Sequence, residues 1–245
     1  MIKVTEKTSK QINDSSTTEM IKQGFQVSIP IAFGYIPVAI TFGILAKQAG
    51  MSILELTMMS AFVYAGASQF MGANMIITSA SAIEIIVATF VLNFRHFIMS
   101  LSFMNQIQST IDRKGRISLG LGLTDESFAV SALHIDKADN KKGYAFFITV
   151  ILTAYLTWVV GSFIGGIVGD IIPTKLSQSM GIALYALFIG LLVPSIKKDL
   201  KIIIIVIIAM TINYIFSQLI SEGWAIVFGT LIGGLSGVLL FKEER

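Results

Sequence analysis

The chain has 245 residues, of which 54% are hydrophobic and 13% charged, and its mean hydropathy is +0.77. An ordinary soluble domain carries about 25% charge, so this composition reads as an integral membrane protein whose surroundings are a lipid bilayer. With no cysteine there is no disulfide, thiolate nucleophile or iron–sulfur cluster, and a net charge of +3 scattered over loop ends does not suggest nucleic acid.

Several runs of about 20 apolar residues are each long enough to cross a bilayer as a helix, whereas the alternating ten-residue segments of a membrane barrel are missing. The expected fold is an all-α integral membrane protein, a polytopic bundle of about seven to eight transmembrane segments. Residues 1–22 read as a polar N-terminal tail without the charged-then-apolar order of a signal peptide, and 23–245 as a single transmembrane domain.

The first span covers Gly24 to Lys47 and contains Pro30, Gly34 and Pro37 within eight residues. Each proline removes a backbone donor and clashes with the preceding turn, which predicts a broken first helix. Such breaks often form substrate sites, where free amides meet a carboxylate, or else simply shape packing. The second span, Ile53 to Thr78, carries Tyr64-Ala-Gly-Ala-Ser-Gln-Phe70 and then Asn74. Gly66, Ala67 and Ser68 permit close helix approach, while Gln69 and Asn74 need partners inside the bundle. Glu55 and Glu84 stand at span ends, within reach of headgroup water.

The third span, Ala80 to Met104, sets Asn93, Arg95 and His96 into its inner half. An arginine at that depth is costly and normally faces a bundle interior or a watery cavity, where it needs a partner. The three side chains line one broad wall, either a hydrogen-bond cluster between helices or part of a transport route. A fourth segment, Ile117 to His134, is weakly apolar and holds Asp125 and Glu126. If it crosses or re-enters the membrane, both acids are candidates for proton exchange. If it lies outside, Thr124-Asp125-Glu126 is a solvated helix start, because threonine and aspartate are good caps.

The fifth span, Tyr144 to Ile172, includes Trp158 and the ladder Gly161, Gly165, Gly169; the eighth, Trp224 to Phe241, carries Gly229, Gly233 and Gly237 before a charged KEER tail. Small residues four apart are a packing device. Between them lie a sixth span, Leu176 to Ile196 with Pro194, and a seventh, Leu200 to Ile220 with Asn213. With eight spans, Lys137, Lys141, Lys142, Lys197, Lys198 and Lys201 are cytoplasmic, and Arg113, Lys114 and Arg116 break the positive-inside rule. Gly43, Met58 and Ala61 match Gly165, Met180 and Ala183 at a constant offset, which suggests three-helix repeat units over 24–104 and 143–220. An odd number of spans between the units makes them parallel, while a re-entrant connector makes them inverted.

No GxxxxGK[ST] loop, HExxH pair or GxSxG elbow occurs, so the chain reads as a protein without cofactor or metal site and not as an enzyme. The combination of PIAFGYIPVAITFGILA from Pro30, MSAFVYAGASQF from Met59, LNFRHFIMSLS from Leu92, LTDESFA from Leu123 and YALFIGLLVP from Tyr185 resembles the AzlC family. The likeness covers nearly the whole chain from Gly24 onward. It implies the large subunit of a bacterial branched-chain amino acid exporter, a multi-pass protein of the inner membrane. It implies efflux of valine, leucine, isoleucine and methionine, and a small hydrophobic partner subunit of the AzlD type. An apolar amino acid needs an anion-binding group, a cation-binding group and an apolar pocket. Arg95 or amides freed near Gly34 suit the carboxylate, and Asp125 or Glu126 the ammonium. Met59, Phe62 and Phe70 suit the pocket, with Asn93, Tyr35, Ser68 and Gln69 alongside. Asp125, Glu126 and His96 are the proton-coupling candidates, since the absent ATP motif points to a proton gradient. An uptake carrier and a non-transporting scaffold are the alternative readings.

Overall fold

The computed structural model describes residues 16–107, 110–140, 142–173 and 182–241, and these form ten α-helices, one short 3-10 helix and no strand. In order they are α1 (Thr17–Gln48), α2 (Ile53–Phe62), α3 (Gly66–Ile77), α4 (Ala82–Gln106), α5 (Arg113–Leu121) and α6 (Asp125–Leu133), followed by the 3-10 turn Ile135–Asp139. Then come α7 (Gly143–Val168), α8 (Ile182–Lys198), α9 (Lys201–Ser217) and α10 (Glu222–Phe241). Among them, α1, α4, α7 and α10 are long and apolar enough to cross a membrane. Residues 1–15 of the expected tail, residues 174–181 of the sixth span with Met180, Lys141, and the KEER tail lie outside the described residues.

The first helix corrects two expectations. It starts at Thr17, because the Ser16 hydroxyl accepts from the Glu19 amide at 3.1 Å, so residues 17–22 are its opening turns and not a tail. It then runs unbroken through Pro30 and Pro37 to Gln48. The two prolines are seven residues apart, on one exposed stripe with Phe33 and Gly34, while Ser28, Ile31, Tyr35, Val38, Ala39 and Phe42 are buried on the other side. Packing on the buried side holds the helix together despite two lost amide donors. A proline also frees carbonyls, here those of Gln26 and Phe33, and no amide is released near Gly34.

The breaks fall in the second and fourth spans. α2 ends before Tyr64, which adopts a left-handed φ of +43°, and α3 begins after Ala65 in extended backbone. Gln69, fully buried, staples the gap: its carboxamide oxygen accepts from the Ala65 amide at 3.2 Å, and its nitrogen donates to Ser60 Oγ at 2.9 Å. The segment expected as one fourth span is two nine-residue helices, α5 and α6, each about 14 Å long and too short to span alone. Thr124 caps α6, exchanging bonds with Ser127 in a capping box.

Two compact units are found, one within Met1–Ala39 and Arg95–Gly161, the other within Ile40–Phe94 and Ser162–Arg245. In the first, Phe103, Phe146 and Phe147 stack edge to face at 5.2 Å, and Ser100 Oγ donates to the Gly120 carbonyl at 2.6 Å. Gly24 lies against the Phe146 carbonyl, where a Cβ would come within 2.6 Å. In the second, Gly165 and Gly169 of one glycine ladder and all three glycines of the other are close-packing surfaces. A Cβ on Gly43 would fall 2.1 Å from the Ser162 carbonyl, and one on Gly165 would fall 2.1 Å from the Ile40 carbonyl. Gly169 meets Lys47 one turn on, so this end of α7 runs parallel to α1. Gly229, Gly233 and Gly237 meet Asn213, Ala209 and Ile205 in turn, which packs α10 antiparallel on α9.

Candidate functional site

In the first unit, the break between α5 and α6 aims two carboxylates from one helix start. Asp125, the first residue of α6, receives Arg95 from α4: the guanidinium terminal nitrogen is 3.0 Å from Asp125 Oδ2. His96 Nε2 is 3.9 Å from the same oxygen, too far for a hydrogen bond but close enough for an ion pair when the ring is protonated. Glu126, the next residue, turns to α1, where the Tyr35 hydroxyl lies 2.5 Å from Glu126 Oε2 and 2.7 Å from Thr124 Oγ1. Having one proton to give, that hydroxyl donates to one of them at a time. Trp158 of α7 stands edge-on to the Tyr35 ring at 5.3 Å and closes the cluster behind it.

The side chains of Arg95, Asp125 and His96 are 36%, 24% and 18% exposed, so the pair is sheltered but reachable. Arg95 is not saturated. Its Nε is buried and has no hydrogen-bond partner among the described residues, so one donor of the guanidinium is unused by the pair. Asp125 and Glu126 both lie in the first turn of α6, at the positive end of the helix.

Five of the expected site residues, Tyr35, Arg95, His96, Asp125 and Glu126, therefore belong to one cluster. The others do not. Asn93, Ser68 and Gln69 belong to the second unit, where Ser68 Oγ donates to Asn93 Oδ1 and Gln69 has both ends engaged across the α2–α3 break. Gly34 lies on the exposed stripe of α1 with nothing within 4 Å of where a Cβ would stand. Nor do Met59, Phe62 and Phe70 share a wall: Phe62 is 79% exposed, while Phe70 is buried with its ring 5.6 Å from Phe42. Trp158 was expected only as part of a span, because spacing gives no sign that it stands behind Tyr35.

Residues 30–172 match the family model described as AzlC protein. An uncharacterized membrane protein of Archaeoglobus fulgidus is 36% identical over 184 residues, covering 74% of this chain and 78% of its own. The inner membrane protein YgaZ of Escherichia coli is 27% identical over 224 residues, 90% of this chain and 82% of its own. The branched-chain amino acid transport protein AzlC of Bacillus subtilis is 28% identical over 180 residues, 74% of this chain and 69% of its own. No solved structure matches the chain. With the apolar helices described above, these relatives make it a multi-pass protein of the bacterial inner membrane. The matched region runs from the middle of α1 to the end of α7, including every residue of the Tyr35–Arg95–Asp125–Glu126 cluster, and the chain belongs to the AzlC protein family.

Proposed function

We propose that the chain is a secondary transporter that exports branched-chain and other hydrophobic amino acids, valine, leucine, isoleucine and methionine, in exchange for protons. The observation that carries this reading is the half-engaged arginine. Arg95 bonds Asp125 through a terminal nitrogen and has a buried Nε without a partner among the described residues, a donor that a substrate carboxylate takes when the site opens. Deprotonated Asp125 holds the substrate ammonium beside Arg95, and its protonation releases the substrate, so proton and amino acid alternate at the site as exchange requires. His96 and Glu126, on either side of Asp125, are the steps by which the proton reaches and leaves it.

The gradient is a sufficient source of work: each proton carried down 100 mV supplies about 2.3 kcal/mol from the potential alone. The Bacillus subtilis relative's description as a branched-chain amino acid transport protein supports the substrate class. A small hydrophobic subunit of the AzlD type completes the proposal. The outward stripe of α4, with Ile83, Ile86, Phe90 and Phe97 all more than half exposed, offers such a subunit a helix-length apolar seam.

Counterflow tests the assignment. Vesicles holding the chain and its partner, preloaded with unlabelled isoleucine, should accumulate labelled isoleucine, and Arg95→Ala should reduce that by at least tenfold. Wild-type rates in Arg95→Ala and in Asp125→Asn would remove the site. Net flux measured from inside-out and right-side-out vesicles decides between export and uptake.

A further inference from the structure

The second unit contains a cavity of about 800 Å³, well within the size range of small-molecule sites, and none of its lining residues belongs to the Arg95–Asp125 cluster. Asn74 of α3 and Asn213 of α9 both line it, and neither carboxamide has a hydrogen-bond partner among the described residues. Asn74 is exposed and Asn213 half-buried, so both carboxamides are open to hydrogen bonding by whatever fills the cavity.

Their chemistry defines that occupant. Each carboxamide presents an NH2 donor and a carbonyl acceptor, so the pair can bond both a carboxylate and an ammonium. Glu222, the first residue of α10, adds a carboxylate to the lining, and no lysine, arginine or histidine among the described residues offsets it. A free anion is therefore disfavoured, whereas a zwitterion, which brings its own cation, is suited. Thr78 and Ser217 also line the cavity, and the rest of the wall is apolar, with Met71, Leu92 and Ile226; the unbranched thioether of Met71 can adapt to side chains of different branching.

We infer that this cavity binds a zwitterionic α-amino acid with an apolar side chain, as a second site made of residues other than those around Arg95. The ligand class rests on the transport reading above; the existence of the site rests on the two amides and the cavity alone.

The test is photolabelling of the full-length chain in lipid nanodiscs with a diazirine analogue of leucine, mapped by peptide mass spectrometry. Label should appear in peptides covering Gly66–Ile77, Lys201–Ser217 or Glu222–Phe241, and excess leucine should displace it. Arg95→Ala should retain this label, while the double variant Asn74→Leu, Asn213→Leu should lower it at least tenfold. Ile226→Trp, which fills the cavity from the apolar wall, is the second variant and decides the matter should the double variant fail to fold. Label confined to peptides holding Tyr35 or Asp125, or label unchanged by Ile226→Trp, would overturn the inference. So would equal labelling by a diazirine fatty acid that leucine does not displace, since that is a lipid groove. If counterflow fails while leucine-displaceable label persists here, the transport reading falls and the site stands.

Discussion

Replacing Gly43 by alanine adds one methyl group where α1 meets α7. The new Cβ would sit 2.1 Å from the Ser162 carbonyl oxygen, 2.7 Å from the Gly166 amide nitrogen and 2.8 Å from Gly165 Cα. All three are backbone atoms, so no side chain can swing aside, and the helices must separate by roughly 1.3 Å to restore ordinary contact at 3.4 Å. Overpacking of this kind costs about 1–3 kcal/mol, and a rigid backbone neighbour places it at the upper end. Against that, alanine in a helix interior is favoured over glycine by about 0.5–1 kcal/mol. The net expectation is a loss of about 2 kcal/mol, or about 4–8 °C in the unfolding midpoint of a chain this size. Gly165→Ala makes the reciprocal clash with the Ile40 carbonyl, again at 2.1 Å, so the double variant should lose much less than the sum. Gly34→Ala, with open space around it, serves as the control and should be neutral or slightly stabilising. Thermal unfolding in detergent reads all four proteins. Equal midpoints for Gly43→Ala and Gly34→Ala would refute the crossing.

Other consequences follow from the same contacts. Gln69→Leu leaves Ser60 Oγ and the Ala65 amide unpaired, and at about 1–3 kcal/mol for each buried group it should lower the unfolding midpoint more than Gly43→Ala does. Tyr35→Phe keeps the ring against Trp158 but removes the hydroxyl from Glu126 and Thr124; counterflow should slow while stability falls by only about 0.5–1.5 kcal/mol. An unchanged counterflow rate would take Tyr35 out of the site. Because the chain has no cysteine, single thiols report sidedness cleanly. Lys22→Cys and Lys142→Cys should react from one side of the membrane and Ser52→Cys and Asp170→Cys from the other, as the parallel pairing of α1 with α7 requires; labelling of Lys22→Cys and Lys142→Cys from opposite sides would contradict that pairing.

The membrane class was legible because composition alone decides it, and the glycine ladders were legible because four-residue spacing puts them on one helix face. The site of the helix breaks was not. Proline marks a local cost, yet α1 stays whole since its buried stripe supplies the compensation, while the true interruption at Tyr64 depends on Gln69 reaching back to Ser60 and Ala65. Spacing carries no sign of such a staple. Arg95 and Asp125 were legible as two charges of one site, since one amino acid needs both, but the 29 residues between them carry no sign that the two bond each other directly. A different case is the repeat. The offset linking Gly43 to Gly165 is also the register at which these glycines touch, and Gly24 meets Phe146 in that register within the first unit. These contacts show α1 and α7 running parallel at that register.

Proton movement on adding substrate tests the coupling most directly. Leucine added to vesicles containing the wild-type chain and its partner, with a pH-sensitive dye inside, should shift the internal pH. Asp125→Asn should abolish that shift while leaving leucine–leucine exchange measurable. An undiminished pH response in Asp125→Asn would contradict the central claim that the Arg95–Asp125 pair links proton and amino acid.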